Sequence, residues 1–500
     1  MNANTADAPA NPMSPNQIGV AKLLCLLTMI LAILDSNIVS AAIVPIVRDL
    51  DPVHGLGHVT WLVAGFTLAA TVMLPLYGRL CDIFGAKRVL VGALSVFLAG
   101  SALCGAAATM TELIAFRVVQ GLGAGGLMSV TMVVMAQLAG PGKGKGPGAL
   151  GGLMAGFGMA LGPLVGGLFA DNGNWRWIFY LNLPLGAVIV AGLLWAVRIP
   201  AHTTRAAIDL IGAALVAGFT GALLLTCEWG GTQYAWGSPT ILSLITAAVV
   251  LLALFVWRQA VADEPILPLS LFSVPVLRQG FAIQALVGAV MGGAMIDLML
   301  YLQTARGIGA TDAGTYLAFM AGGLMVSGLA GGKFDWSTRT ALLTGTALLT
   351  AALTALACTG EHTSLWLIRG ELVLLGLGFG QLLGKLITAV QGAAPRHQLG
   401  VATTGIRFFQ SLGTAVGAAA SGTLLNGYFE STAPSVSMTR ITGLTGTAHE
   451  HAMSAFVSGT GLVFLAAAAL SAVALLLSAR LREPVAPTVA EPNGELALAR

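Results

Sequence analysis

The sequence predicts an all-α membrane protein of two six-helix bundles with two further transmembrane helices inserted between them, fourteen spans in all. Three observations lead there. Only 9% of the 500 residues are Asp, Glu, Lys or Arg and 56% are hydrophobic, whereas an average globular chain is about one quarter charged. Apolar runs of about 20 residues, the length of helix that crosses a bilayer, recur from end to end. Charged and glycine-bearing signatures of the first half return in the second, 252 or 253 residues later.

Residues 1–17 are polar, rich in Pro, Asn and Ala and free of Lys and Arg, which suits a disordered tail and neither a secretory nor an organelle-targeting leader. Apolar windows set against turn signals place the spans near 18–47, 58–77, 89–108, 112–140, 149–170, 177–198, 208–227, 240–258, 279–302, 312–332, 340–358, 364–391, 400–425 and 453–478. The first six make an N-terminal bundle over 18–207 and the next two an inserted pair over 208–258. A connector over 259–278, a C-terminal bundle over 279–480 and a tail over 481–500 follow. In the fourth span Arg117 precedes Gly121, Gly123, Gly125 and Gly126, and in the twelfth Arg369, 252 residues on, precedes Gly376, Gly378 and Gly380. The loop after the second span carries Gly78 and Asp82, and the loop after the tenth carries Gly331 and Asp335, 253 residues on. Paired six-helix halves about a midplane site are the plan of a secondary transporter.

With the N-terminus in the cytoplasm, sixteen basic residues fall on that side and four on the other, while Arg117, Arg369, Lys385 and Arg407 lie within helices. That asymmetry predicts cytoplasmic termini.

The net charge of +3 comes from scattered residues that build no basic groove, which excludes nucleic acid as a partner. The five cysteines lie singly, without CxxC or Cys/His spacing, so neither a disulfide framework nor a metal site is indicated. No GxxxxGK[ST] phosphate loop occurs, which argues against an ATP-driven pump. Without a Ser/His or Cys/His arrangement or a sizeable extramembrane domain, no enzyme, catalytic residue or cofactor is expected. The partner that composition itself implies is the lipid bilayer.

Four segments carry candidate chemistry. Asp35 lies in the middle of the first span, where a charge costs about 2.5–3.5 kcal/mol on insertion scales. A penalty of that size can be relieved by taking up a proton, or by permanent hydrogen bonds to Ser36, Asn37 or a facing helix. Arg117, which cannot shed its proton, needs an acceptor and shares a helix face with Gln120. It can gate proton uptake by Asp35 or tie the first and fourth helices together as a static bridge. The loop after the second span reads Gly78-Arg79-Leu80-Cys81-Asp82-Ile83-Phe84-Gly85-Ala86-Lys87-Arg88. Its glycines permit a tight turn, and Asp82 can sit at a helix N-terminus or accept from a basic partner across the bundle interface, as a conformational latch. The fifth span carries Gly158, Gly162, Pro163, Gly166 and Gly167, small residues that let helices approach closely around a proline bend.

These segments resemble the major facilitator superfamily, and within it the fourteen-helix drug:proton antiporter branch (EmrB/QacA-like). The loop is similar to the superfamily's GxLxDxxGxK pattern, with Ile83 at a commonly basic position. Leu113-x-x-x-Arg117-x-x-Gln120-Gly121 resembles the family's proton-transfer motif, and the fifth span its antiporter motif. Trp175 to Gly186 resembles a further segment of that branch, as does Leu34-Asp35-Ser36, with Asn37 in place of Thr and Pro45 one residue late. The resemblance implies proton-coupled export of amphipathic organic compounds or antibiotics, multidrug efflux, with Asp35, Arg117 and Gln120 in proton coupling and Gly78, Asp82, Gly85, Lys87 and Arg88 in the latch.

On this reading a proton or a cationic substrate neutralises Asp35, and competition between them gives exchange. Trp61, Phe66, Tyr77, Met291, Met295 and Met299 either offer adaptable apolar contact or simply pack their helices. Asp297, out of register with the repeats, is a possible substrate or second proton site, or a carboxylate meeting water at a helix end; Glu371 and Arg407 read as structural. Two alternatives stand beside multidrug efflux: a non-transporting scaffold or sensor that keeps the fold, and a dedicated exporter of one metabolite.

Overall fold

A computed structural model describes residues 13–51, 55–139, 156, 175–198, 208–333, 336–434, 436 and 438–481. Among them, twelve helices are long and apolar enough to cross a membrane. In chain order the helices are α1 (Pro15–Ala41), α2 (Ile43–Leu50), α3 (Gly55–Phe84), α4 (Ala86–Ala106), α5 (Met110–Ala139), α6 (Trp177–Tyr180), α7 (Asn182–Ala196), α8 (Leu210–Trp229), α9 (Pro239–Val261), α10 (Pro275–Thr304), α11 (Ala310–Lys333), α12 (Thr338–Ala357), α13 (Leu365–Ala393), α14 (Leu399–Thr432) and α15 (Thr447–Ala479). The predicted fifth span, 149–170, lies outside the described residues except for Gly156.

Local chemistry explains the boundaries. Ser14 caps α1 in a reciprocal capping box with Gln17, with Pro15 in the first turn. The predicted first span breaks at Ala42, because Pro45 in the first turn of α2 lacks an N–H and crowds the carbonyl a turn earlier. The predicted second span runs seven residues further than its expected end at 77, so most of the expected loop is helical. Only Gly85, at φ 85°, turns the chain before α4 begins. Large apolar side chains such as Val188, Trp195, Leu210, Val249, Trp257 and Leu476 face outward, as a surface solvated by lipid requires.

Close glycine packing defines the repeat. Gly121 and Gly125 of α5 press against backbone at Phe66 and Ala70 of α3, and Gly123 against Ala93 and Phe97 of α4. In the second half Gly376 presses on Met320 and Gly380 on Leu324 and Ser327 of α11, while Gly378 presses on Gly345 and Leu349 of α12. Each glycine pair is 255 residues apart, so this packing, rather than the arginines, sets the register. Arg369 therefore stands three residues, nearly one turn, closer to the start of its helix than Arg117 does. It lies over the rings of Tyr316 and Phe319 of α11 and Trp366 of its own helix instead of joining an ion pair among the described residues.

The halves meet along α3 and α5 on one side and α14 on the other, with α8 packed against both α3 and α14 and α9 packed on α8. Arg258 of α9 pairs with Asp209 at 3.0 Å, and Asp209 also caps the first turn of α8 through the Gly212 N–H. Between the halves lies a cavity of about 930 Å³.

Candidate functional site

Asp35 is wholly buried, and its carboxylate accepts hydrogen bonds on both oxygens. Arg117 Nη1 donates to Oδ2 at 3.0 Å, Gln120 Nε2 to Oδ1 at 2.9 Å and Asn182 Nδ2 to Oδ1 at 2.8 Å. Arg117 Nη1 also donates to Gln120 Oε1 at 2.8 Å, and its guanidinium lies 3.9 Å from the Phe66 ring centroid. Asn182 reaches on to Ser101 Oγ at 2.9 Å, whose hydroxyl donates to the Phe179 carbonyl. Helix register brings these groups together: Arg117 and Gln120 are three residues apart on one face of α5. Gly100 lets α4 approach the backbone of Gln120 within the radius of a methyl group. Three of the expected residues, Asp35, Arg117 and Gln120, thus form one cluster. Asn182, Ser101 and Cys104, whose thiol approaches Gln120 Oε1 at 3.5 Å, were not anticipated.

The bridge has a definite chemical consequence. Arg117 is 2% exposed and permanently charged, so protonating Asp35 in place would leave a buried guanidinium without an anion. The Nε of Arg117 lacks a partner even in the closed arrangement.

Asp35 does not line the cavity. Its helix neighbours Ile33, Ser36 and Asn37 do, while the carboxylate turns the other way toward α5 and α7. The expected direct contest between a cationic substrate and a proton for Asp35 has no contact to act through in this conformation; α1 lines the cavity with one face and holds the acid on another. Trp61, Phe66 and Met291 line the cavity. Tyr77 is buried and donates to the Leu122 carbonyl at 2.8 Å, and Met295 and Met299 pack on the core.

The expected latch residues divide. Asp82 accepts from the backbone N–H groups of Gly400 at 2.8 Å and Val401 at 3.1 Å, seated on the N-terminus of α14 across the seam, where two free amides and the helix dipole favour an anion. Gly78 allows this approach, since a Cβ there would collide with Val401 and Thr404. Arg79, unremarked in the sequence, is buried and pairs with Glu264 in the segment before α10. Gly85 makes the turn, Lys87 donates to the Leu194 and Val197 carbonyls at the end of α7, and Arg88 is exposed. Beside the latch, Thr71 and Ser411 join the halves, oxygen to oxygen, at 2.6 Å.

One expectation is corrected. Asp297 does not meet water at a helix end: it is 1% exposed, lies beside Ser421 of α14 and keeps Oδ2 without a partner. Arg407, read as structural, is found on the cavity wall. Gly158, Gly162, Pro163, Gly166 and Gly167 lie outside the described residues. Gly413 and Gly417, 255 residues after the first two, press against the backbone of Ala285 and Ala289 on α10. Among the described residues no His, Cys, Asp and Glu group could hold a metal. Outside the spans, Arg176 Nη1 at 2.5 Å and Trp175 Nε1 at 3.0 Å hold the Asp49 carboxyl below its usual range.

Comparison with known proteins agrees with this arrangement. The chain is 32% identical over 408 residues to the Multidrug transporter protein MdtP of Bacillus subtilis, covering 80% of this chain and 74% of that one. It is 35% identical over 376 residues to the Uncharacterized MFS-type transporter Rv1877 of Mycobacterium tuberculosis, covering 74% of this chain and 54%, about half, of that relative. The human organic anion transporter MFSD10 shares the fold with a TM-score of 0.65 at 14% identity, over 93% of this chain and 100% of that one. The model of the Major Facilitator Superfamily matches residues 25–210 and 204–418, and the chain belongs to that superfamily.

Proposed function

We propose that the protein is a proton-coupled antiporter that exports amphipathic organic compounds, a multidrug efflux transporter of the fourteen-helix branch. The observation that carries the proposal is the buried Asp35–Arg117–Gln120–Asn182 cluster, on the far face of a helix that lines a cavity large enough for a drug-sized molecule. The relative named as a multidrug transporter supports the substrate class.

In the proposed cycle the bridge is closed while Asp35 is ionised. A proton entering from outside releases Arg117, and α1 shifts against α5 and α7. Because α1 also borders the cavity, the shift changes which side of the membrane the cavity faces, and loss of the proton to the cytoplasm restores the bridge. Asp82 on the N-terminus of α14 and Arg79 on Glu264 hold one end of the seam shut, and must part for the cavity to open there. Gly158, Gly162, Pro163, Gly166 and Gly167 are assigned to the antiporter motif on the resemblance of that segment alone. We place both termini in the cytoplasm of a bacterial inner membrane, with 18–207 and 279–480 as the moving bundles and 208–258 as the inserted pair. Asp297, buried with one oxygen unpartnered, is assigned as a second proton site rather than a substrate contact, because it lies off the cavity wall.

Expression in a bacterial host stripped of its own efflux systems tests the function. Raised tolerance to several chemically unrelated amphipathic toxicants, cancelled by a protonophore, is the expected result. Unchanged tolerance across a broad panel, with the protein present in the membrane, would reject export and favour a scaffold.

A further inference from the structure

The cavity wall carries a half-buried cation, Arg407, that the coupling cluster does not use. The face of α14 that borders it runs from Arg407 through Gln410, Ser411, Thr414 and Thr423 to Asn426, a stripe of about 28 Å at 1.5 Å per residue. Arg407 is the innermost member. Its Nη1 donates to Gln410 Oε1 at 2.7 Å and its Nη2 meets the Met128 sulfur at 2.7 Å. Among the described residues it has no carboxylate partner, whereas the buried Arg117, within the N-terminal half, and the buried Arg79, at the seam, each have one. A guanidinium out of water is costly unless an anion answers it. The one acidic residue on the described cavity wall, Glu228, stands at the opposite end, next to the Trp229 ring that packs on Trp61 at the start of α3.

Much of the cavity wall is apolar, with Met128 against Arg407 and Leu74, Met132, Leu383 and Ile387 also lining it. A planar fork of donors on the floor of an apolar cavity matches a carboxylate or sulfonate attached to a hydrophobic body. We propose that Arg407, steadied by Gln410, seats the acidic group of an amphipathic organic anion, so that the substrates of the cavity are lipophilic acids in preference to lipophilic cations. The inference rests on the export reading for its biological meaning, but the seat itself can be tested by binding alone. It also separates the two charges of the protein's task. The substrate's charge is answered by Arg407 on α14 and the proton's by Asp35 on α1, so neither ligand needs to displace the other from a shared carboxylate.

The test uses the purified full-length protein in lipid nanodiscs and three dansyl probes that differ only in their head group: a carboxylate, a neutral amide and a trimethylammonium. Equilibrium dialysis of the wild type should rank the carboxylate about tenfold or more above the ammonium, the size of a charge-assisted hydrogen bond. Arg407→Gln should remove that preference while leaving the amide within about twofold, and Arg407→Lys should retain part of it. The amide result keeps the test valid if the Gln variant is destabilised, and Lys supplies a second variant. An ammonium bound best by the wild type, no binding of the carboxylate, or an unchanged carboxylate affinity in Arg407→Gln would each overturn the proposal. A carboxylate bound through Arg407 yet not moved by a proton gradient in vesicles would leave the seat standing and reject export.

Discussion

Replacing Asp35 by Asn removes one charge and almost no volume. In the native cluster Oδ2 receives Arg117 and Oδ1 receives Gln120 and Asn182. An amide has one acceptor oxygen, and its best placement keeps Gln120 and Asn182 while turning its own N–H groups toward the Arg117 guanidinium. Arg117, 2% exposed, then keeps only the Gln120 oxygen and the face of Phe66. Removing one partner of a buried ion pair costs about 3–5 kcal/mol, and these residual contacts put Asp35→Asn near about 3 kcal/mol. Arg117→Met should cost less, because the carboxyl left behind can take up a proton whereas a stranded guanidinium cannot shed one. The double variant strands neither group, so it should fall short of the sum of the singles by about 2 kcal/mol or more. The buried thiols of Cys25, Cys81 and Cys104 supply the assay, since their labelling by a thiol-reactive dye reports unfolding in a denaturing-detergent titration. Additivity within about 0.5 kcal/mol would mean that the pair is not an energetic unit, and the gating role built on it would fail.

Three further outcomes follow from the geometry. A cysteine pair at Thr71 and Ser411, whose oxygens are 2.6 Å apart, should cross-link several-fold more slowly when Asp82→Asn removes the anion from the N-terminus of α14, a contact worth about 0.3–2 kcal/mol; an unchanged rate would show that Asp82 does not hold the seam shut. Gly100→Ala, whose methyl would meet the backbone of Gln120, should destabilise by about 1–3 kcal/mol and impair coupling, whereas Gly92→Ala, with open space around it, should do neither; equal melting temperatures would contradict the packing argument. Because Arg176 and Trp175 depress the Asp49 pKa, the stability their contact contributes is present above the unfolded value of about 4 and is lost as pH falls through the lower folded value. The half-exposed pair limits the effect to about 1 kcal/mol or less, so Asp49→Asn should lower thermal stability slightly at pH 7 and not at pH 2.

Twelve spans were legible because a bilayer demands long apolar runs, whereas the break after α1 was not, the first span being read straight through Pro45 to 47. The segment from Gly78 to Arg88 misled because polar residues at a helix end resemble a loop in composition; only the positive φ of Gly85 breaks the helix. Asp35, Arg117 and Gln120 stood out because an intramembrane charge is expensive and must have a reason. Asn182 carries no such signal: it is neutral, lies in a run of apolar residues and meets Asp35 across 147 positions of chain. The burial of Asp297 and the place of Arg407 on the cavity wall were not legible for a related reason. Whether a charge near a helix end faces water, a cavity or a neighbour is decided by packing between halves, and no local pattern encodes it. The repeat itself was visible, but the arginines that suggested it are three residues out of step with the glycines that define it.

The central claim, that the charge on Asp35 couples protons to export, is tested most directly by reconstituting the wild type and Asp35→Asn in vesicles with an imposed pH gradient and following uptake of anionic, neutral and cationic fluorescent amphipaths. The account predicts gradient-driven accumulation of at least one probe by the wild type and none by the variant, which should still exchange that probe down its own concentration gradient. Equal gradient-driven accumulation in the two proteins would contradict it.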